Sequence, residues 1–165
     1  MRKRPVRTYN ILLPIWLLVW FPSWLWVILV PANYLVDRLV LTWSLKGMED
    51  RGTFCRENTW KVCIAGFLSD FVGSVLLIAA EVALDAIPGS HDIGSALTLN
   101  PFGNVFALLI TVAAIAVSGV CIFKLDRWLL GSAGLDPDLA RTAALRLAVI
   151  TAPYLFLFPA GLLYR

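Results

Sequence analysis

The chain has 165 residues, of which 59% are hydrophobic and only 15% are charged, and its mean hydropathy is +0.78. A soluble domain has about 25% charged residues, so the composition excludes a disordered chain, a nucleic-acid-binding domain and an ordinary cytosolic enzyme. Seven Trp and nine Pro are typical of membrane helices, which place Trp at the interface and tolerate Pro. We expect an all-α, polytopic membrane protein with a single integral membrane domain over residues 1–165.

The charges are distributed unevenly along the chain. Residues 1–61 carry nine Lys/Arg against four Asp/Glu, residues 62–123 carry four acidic residues and no Lys or Arg, and residues 124–165 carry five Lys/Arg against three acidic residues. Because Lys and Arg are retained on the cytoplasmic side of a membrane, the N-terminus and the segments 46–61 and 124–141 are predicted to be cytoplasmic. This pattern predicts a bacterial inner-membrane protein.

Five hydrophobic segments are predicted, at about 10–30, 33–46, 62–86, 101–123 and 138–163. One crossing needs about 20 residues, so the first apolar stretch is too long for a single straight helix. Since basic residues flank it on both sides, an even number of crossings is expected, which predicts a Pro/Trp-rich hairpin that turns at residues 31–33. The alternative is a turn at residues 21–23 that makes a re-entrant half-helix, leaving four full segments. A cleaved signal peptide is not expected, because its apolar run would be only about 7–15 residues long.

The later segments are bounded by turn and cap signals. Pro88-Gly89 ends the third segment, and the linker 87–100 lacks Lys and Arg, so it is predicted to be external. Asn100-Pro101 and Asp136-Pro137 each supply a cap followed by Pro at the first helical position. The charged residues 124–127 are predicted to return the chain to the cytoplasm.

Three segments carry small residues at every fourth position: Ala65, Ser69 and Gly73; Gly103, Ala107 and Thr111; Ala144, Ala148 and Ala152. Such stripes let helix backbones approach closely in a membrane, where no hydrophobic effect separates helix from lipid. Packing within one bundle is the favoured interpretation, and an oligomer interface is the alternative. The expected partners are the lipid bilayer and either further copies of the chain or other membrane subunits, with no nucleic acid.

Two aspartates are predicted to lie inside the membrane. Asp70 follows Lys61 by nine residues, or about 13.5 Å of helix, which places it near the middle of a hydrocarbon core about 30 Å thick. Asp37 precedes Lys46 by nine residues and is expected at a similar depth. Ionisable groups at the bilayer centre cost about 2.5–3.5 kcal/mol on insertion scales, so they are retained for a role.

Asp70 shares one helix face with Ser74, Glu81 and Asp85, because steps of four, seven and four residues return to nearly the same azimuth. A carboxylate at mid-depth followed by two near the external end would attract cations and offer a relay point. The favoured function is therefore cation- or proton-linked transport by a channel or small carrier.

The alternative is a structural role for the same charge. Asp70 would then pair with Arg38 or with Arg146, and the buried pair would fix the helices of a non-catalytic scaffold or of a subunit in a larger membrane complex. The two hypotheses predict different neighbours for Asp70.

A second alternative is an intramembrane aspartyl hydrolase. The segment Tyr34–Leu39, which contains Asp37-Arg38, resembles the Asp-Arg segment of lipoprotein signal peptidases. The resemblance covers only these residues; in that family the motif comes late in the chain, whereas here it comes early. It would make Asp37 and Asp70 the catalytic pair. No GxSxG, HExxH or P-loop motif occurs, so an enzyme is the less expected class.

Neither a metal nor a cofactor is expected. His91 is the only histidine, and Cys55, Cys63 and Cys121 form no CxxC pair. Cys63 and Cys121 are interpreted as packing residues, and Cys55 as a thiol in a polar loop. The aromatic residues Trp16, Trp20, Trp24 and Trp26 are interpreted as interfacial anchors rather than a cage for an organic cation.

Overall fold

Five α-helices follow one another in the computed structural model, which describes residues 26–164. They are α1 (Trp26–Ser44), α2 (Arg51–Asp85), α3 (His91–Leu99), α4 (Val105–Ser132) and α5 (Pro137–Ile150), with short 3₁₀ turns at Pro101–Gly103, Tyr154–Leu157 and Ala160–Tyr164. This part of the chain contains no β-strand, so the all-α class is confirmed. Three stretches are long and apolar enough to cross a membrane: Arg51–Asp85, Val105–Ser132 and Pro137–Leu157.

Helix α1 runs without interruption through Pro31, so the predicted turn at residues 31–33 is wrong. Pro31 lies inside the described helix, where its missing N–H removes one backbone hydrogen bond, a loss that membrane helices tolerate. The alternative turn at residues 21–23 lies outside the described residues, as do Trp16, Trp20 and Trp24.

Two predicted cytoplasmic loops are largely helical. Helix α2 begins at Arg51 and has 35 residues, so it is longer than a hydrocarbon core is thick. Helix α4 continues to Ser132, which reduces the predicted loop at 124–141 to a short connection before α5. The basic residues therefore did not mark the helix boundaries. Cys55 accordingly lies in α2 and is buried, at 2% exposure, rather than in a loop.

The two remaining connections also differ from the prediction. The linker 87–100, which was predicted to be external, contains α3, whose Leu97 is buried in the second core described below. The last segment leaves the α-helical form after Ile150, and 3₁₀ turns follow. Pro153 and Pro159 explain this change, because a proline cannot donate its backbone nitrogen to an α-helical hydrogen bond.

Helix α2 packs against α1 on one side and α4 on the other, while α5 packs against α4 and α1. One core, containing Leu41, Val62 and Ile122, lies toward the end where α1 and α4 finish and α2 and α5 begin. We call this the basic end. The second core, containing Leu77 and Phe156, lies toward the end where α2 finishes and α3 and α4 begin, which we call the acidic end.

Two of the three small-residue stripes pack inside this bundle. A Cβ built on Gly73 of α2 would lie 2.1 Å from Ser118 Oγ and 3.3 Å from the Ala114 carbonyl oxygen of α4, so the two helices approach closely at this glycine. Ala144 and Ala148 of α5 are also buried, and a Cβ on Gly119 would lie 3.7 Å from the Ala148 carbonyl oxygen. The third stripe is not continuous, because Gly103 is exposed in the 3₁₀ turn that precedes α4.

Candidate functional site

Three aspartates from three helices are drawn into the interior of the bundle: Asp37 of α1, Asp70 of α2 and Asp126 of α4. Asp37 is 2% exposed and Asp126 is fully buried, while Asp70 is partly buried. Asp37 lies close enough to both of the others for its negative charge to act on their carboxyl groups. We call this set the aspartate triad.

The carboxyl oxygens of the triad have few partners. Both oxygens of Asp126 and Oδ1 of Asp70 are buried without a hydrogen bond to any described residue. Asp37 Oδ2 accepts one long hydrogen bond, 3.4 Å, from Asn33 Nδ2, and the Asp37 carboxyl group is also hydrogen-bonded to the Cys63 thiol. Asn33 Nδ2 in turn donates to Cys63 Sγ at 3.8 Å. Buried polar groups are normally satisfied, and a buried carboxylate without a counter-charge is costly. The triad therefore retains unmet capacity to bind a proton or a cation.

Helical periodicity explains why these side chains point inward. Asp37 shares the buried face of α1 with Leu41 and Ser44, which lie four and seven residues further on. Asp126 lies on the face of α4 that also buries Ile122 and Leu130, four residues to either side. Steps of three and four residues keep a helix face toward its neighbours, so each aspartate is carried inward with the apolar residues around it.

The two arginines proposed as partners of Asp70 are engaged elsewhere. Arg38 donates from Nη1 to the Tyr34 hydroxyl at 3.3 Å, one turn away on α1. The guanidinium carbon of Arg146 lies 4.3 Å from the centroid of the Trp43 ring, a cation–π contact between α5 and α1. Within residues 26–164, neither arginine neutralises Asp70.

This arrangement predicts that Arg38 and Asp70 are energetically independent. If Asp70→Asn and Arg38→Met are combined, the change in free energy of unfolding should equal the sum of the two single changes within about 0.5 kcal/mol. The four proteins can be compared by denaturant unfolding in detergent micelles. A double variant that is more stable than this sum by 1 kcal/mol or more would instead support the buried pair of the scaffold hypothesis.

The helix face with Asp70, Ser74, Glu81 and Asp85, which we call the acidic column of α2, divides into an inner and an outer part. Ser74 is fully buried, and its hydroxyl donates to the Phe71 carbonyl at 2.8 Å. Glu81 lies at the acidic end, where its Oε1 accepts a 2.6 Å hydrogen bond from Thr98 Oγ1 of α3, and Asp85 is exposed. The outer carboxylates therefore lie next to α3, and only Asp70 of the column reaches the triad.

Asp126 is the member of the triad that was not predicted from the sequence. Its neighbours Lys124 and Arg127 are exposed, and together they resemble a charged loop at the membrane surface. A usable signal was present, because Asp126 follows Ser118 and Ile122 at four-residue steps and so continues the same face of a helix. The predicted segment ended at about residue 123, whereas α4 continues to Ser132 and so includes Asp126.

The triad gives little support to hydrolysis. An aspartyl hydrolase needs substrate access to two carboxyl groups, whereas Asp37 is almost wholly buried. The apolar groove between α1 and α2 is lined by neither Asp37 nor Asp70.

Neither the arrangement of metal-binding side chains nor a comparison with known proteins assigns a function to the triad. Over residues 26–164, no three His, Cys, Asp or Glu side chains are close enough together to hold a metal ion. The carboxyl groups are thus spread between helices instead of converging on one point. No family model, no curated protein and no solved structure matches the chain.

Proposed function

We propose that this protein carries out proton- or cation-linked transport across a membrane, with Asp37, Asp70 and Asp126 as its internal ionisable groups. The observation that carries the proposal is the burial of Asp37 and Asp126 with no basic partner among the described residues. Ionisable residues inside a membrane bundle are expensive and commonly belong to ion pathways and proton relays. The triad fits that use better than it fits a structural ion pair.

The chemistry of the triad follows from its surroundings. An ionised carboxylate in an apolar interior costs several kcal/mol, so each aspartate is stable only when protonated or when a cation is beside it. The negative charge of Asp37 acts on both other members, so a second ionised member would be disfavoured by repulsion. Protons would therefore enter and leave the triad one at a time.

Proton transfer is favoured over binding of a dehydrated metal cation. A Ca²⁺ or Mg²⁺ site needs at least six oxygen ligands around one point, whereas the triad has no three groups that converge. A proton needs only one acceptor at each step.

The acidic end supplies the outer part of this route. Glu81 and Asp85 precede the membrane interior on that side, and α3 contributes Thr98 to Glu81. Buried hydroxyls of Ser74 and Ser118 lie further in, near the close approach of Gly73 on α2 to Ser118 on α4. Hydroxyl groups both donate and accept, so they can pass hydrogen bonds between carboxyl groups.

The membrane arrangement that suits this function has four to five segments. Helix α1 would be the segment that precedes the three long apolar stretches, because its inner face packs on α2 and α5 and it carries only Asp37 and Arg38 as charges. The positive-inside rule would place the basic end and the N-terminus in the cytoplasm of a bacterial cell, with the protein in the inner membrane as a homo-oligomer or as part of a larger complex.

Proton flux in liposomes tests the proposal. The full-length protein, reconstituted with a pH-sensitive dye inside, should dissipate an imposed pH gradient faster than protein-free liposomes when a potassium ionophore removes the opposing potential. Asp37→Asn and Asp70→Asn should reduce this rate to that of protein-free liposomes, because an amide cannot exchange a carboxyl proton. Asp138→Asn, at an exposed position in the first turn of α5, is the matched control and should behave as the wild type.

Two outcomes would contradict transport through the triad. One is a wild-type protein that leaves the pH gradient, and an imposed Na⁺ or K⁺ gradient, as stable as in protein-free liposomes. The other is a flux that persists unchanged in Asp37→Asn and Asp70→Asn. The first outcome would support the non-transporting scaffold.

A further inference from the structure

An apolar groove lies between α1 and α2 on the outside of the bundle. Its volume is about 840 Å³, and its walls are side chains of Trp26, Val30, Pro31, Tyr34 and Leu35 from α1 and of Trp60, Cys63, Ile64, Phe67, Leu68 and Phe71 from α2. The ring of Trp26 stacks on Phe67 with centroids 5.7 Å apart. The groove is open on one side and carries no charged side chain in its lining.

Two cations lie at one end of this groove, each next to a lining residue. Arg38 donates to the hydroxyl of Tyr34. Lys61 donates from Nζ to Asn58 Oδ1 at 2.9 Å, and its Nζ lies 5.9 Å from the centroid of the Trp60 ring. Both contacts lie at the end of the groove that faces the basic end of the bundle. The other end of the groove, toward Phe71, has no Lys or Arg in its sequence neighbourhood.

The length of the groove along α2 matches the thickness of the hydrocarbon layer of one leaflet. Trp60 and Phe71 are eleven residues apart on α2, or about 16 Å by helical rise, and half of a hydrocarbon core is about 15 Å. An aromatic and aliphatic channel of this depth suits an acyl chain. A phosphate at its mouth would meet Arg38 and Lys61, with the Tyr34 hydroxyl and the Trp60 indole N–H as further donors.

We propose that the groove between α1 and α2 binds an anionic phospholipid, with an acyl chain along Ile64, Leu68 and Phe71 and the phosphate at Arg38 and Lys61. The charge pattern commits the proposal to this occupant, because the mouth carries two cations that no described carboxylate neutralises and the body is apolar. A zwitterionic lipid would fill the same groove but would gain less from the two cations. The proposal does not depend on transport through the triad.

Native mass spectrometry of the full-length protein tests this site. The protein is released from vesicles of equal parts phosphatidylglycerol and phosphatidylcholine, and the retained lipid is counted. Phosphatidylglycerol should be retained in preference to phosphatidylcholine. Arg38→Gln with Lys61→Gln should reduce that preference by roughly fivefold per removed charge. Lys124→Gln with Arg141→Gln removes the same charges from exposed positions away from the groove and should leave the preference unchanged.

A second pair of variants tests the apolar body independently of charge. Leu68→Trp replaces an aliphatic side chain of the groove with a bulkier indole ring and should reduce retention of both lipids. Val120→Trp, at a similarly exposed position on α4, should not. Equal retention of the two lipids by the wild type would overturn the proposal. So would an equal loss in the Lys124/Arg141 control, which would show a bulk charge effect, or lipid retention unaffected by Leu68→Trp, as expected if protein fills the groove.

Discussion

Replacing Asp126 by valine should raise the free energy of unfolding by about 1–3 kcal/mol, although most substitutions in a protein interior lower it. Asp126 is fully buried, and neither of its carboxyl oxygens has a hydrogen-bond partner in the described structure. It is surrounded by apolar residues of the core at the basic end, including Ile122 and Leu130. Valine removes the unsatisfied polar atoms, so the folded state no longer bears their desolvation cost.

Asp126→Asn is the matched variant, because asparagine keeps the size and polarity of the side chain but cannot exchange a carboxyl proton. We expect its free energy of unfolding to stay within about 1 kcal/mol of the wild type, since its amide is no better satisfied. Both variants should lose proton flux in liposomes. Gain of stability together with loss of flux is the signature of a residue that is retained for function at a cost in stability.

Denaturant unfolding in detergent micelles, with the flux assay on the same preparations, measures both effects. A structural role for Asp126 predicts the opposite result for stability. If Asp126→Val and Asp126→Asn both lower the free energy of unfolding by 2 kcal/mol or more, the carboxylate has a stabilising partner and the triad is a structural element.

Gly73→Ala should lower the free energy of unfolding by about 2–3 kcal/mol, because the added methyl group has no room. Its Cβ would lie 2.1 Å from Ser118 Oγ, 3.0 Å from Phe156 Cε2 and 3.3 Å from the Ala114 carbonyl oxygen. The Ser118 hydroxyl would have to rotate away, and the Phe156 ring and the Ala114 carbonyl oxygen would have to give by a few tenths of an ångström. Any separation of α2 and α4 would also loosen the packing around Asp70, which lies one turn away on α2.

Ser118→Ala tests how much of the destabilisation by Gly73→Ala comes from the contact with the Ser118 hydroxyl. The double variant Gly73→Ala, Ser118→Ala should recover part of the lost stability, since the hydroxyl oxygen nearest the new methyl group is gone. Gly131→Ala is the control, because a Cβ at that exposed position of α4 meets no atom within 4 Å. Circular dichroism melting in micelles can rank the four proteins. A Gly73→Ala protein as stable as Gly131→Ala would show that α2 and α4 do not meet at this point.

The composition and the hydrophobic segments predicted the fold class from the sequence alone. Low charge and long apolar runs require membrane helices, because each backbone polar group in lipid must be satisfied within its own segment. The same reasoning located the apolar parts of α2, α4 and α5. It failed at the ends of these helices, because α2 begins at Arg51 and α4 continues to Ser132, beyond the apolar residues on which the prediction rested.

Local turn signals were less reliable than hydrophobicity. Pro31 predicted a turn but lies inside α1, where the loss of one backbone hydrogen bond is tolerated. Pro153 and Pro159, late in the last segment, do coincide with the end of α-helical structure. A proline in an apolar segment is therefore compatible with either outcome.

The sequence by itself identified Asp37 and Asp70 as charged residues within hydrophobic segments, because this needs only the order of residues along the chain. Only the tertiary structure decided which charges meet. It turned Arg38 toward Tyr34 and Arg146 toward Trp43, and it brought Asp126 from the far end of α4 to the neighbourhood of Asp37. Helix azimuth and the antiparallel contact of α2 with α4 depend on side-chain packing between distant segments, such as the approach of Gly73 to Ser118.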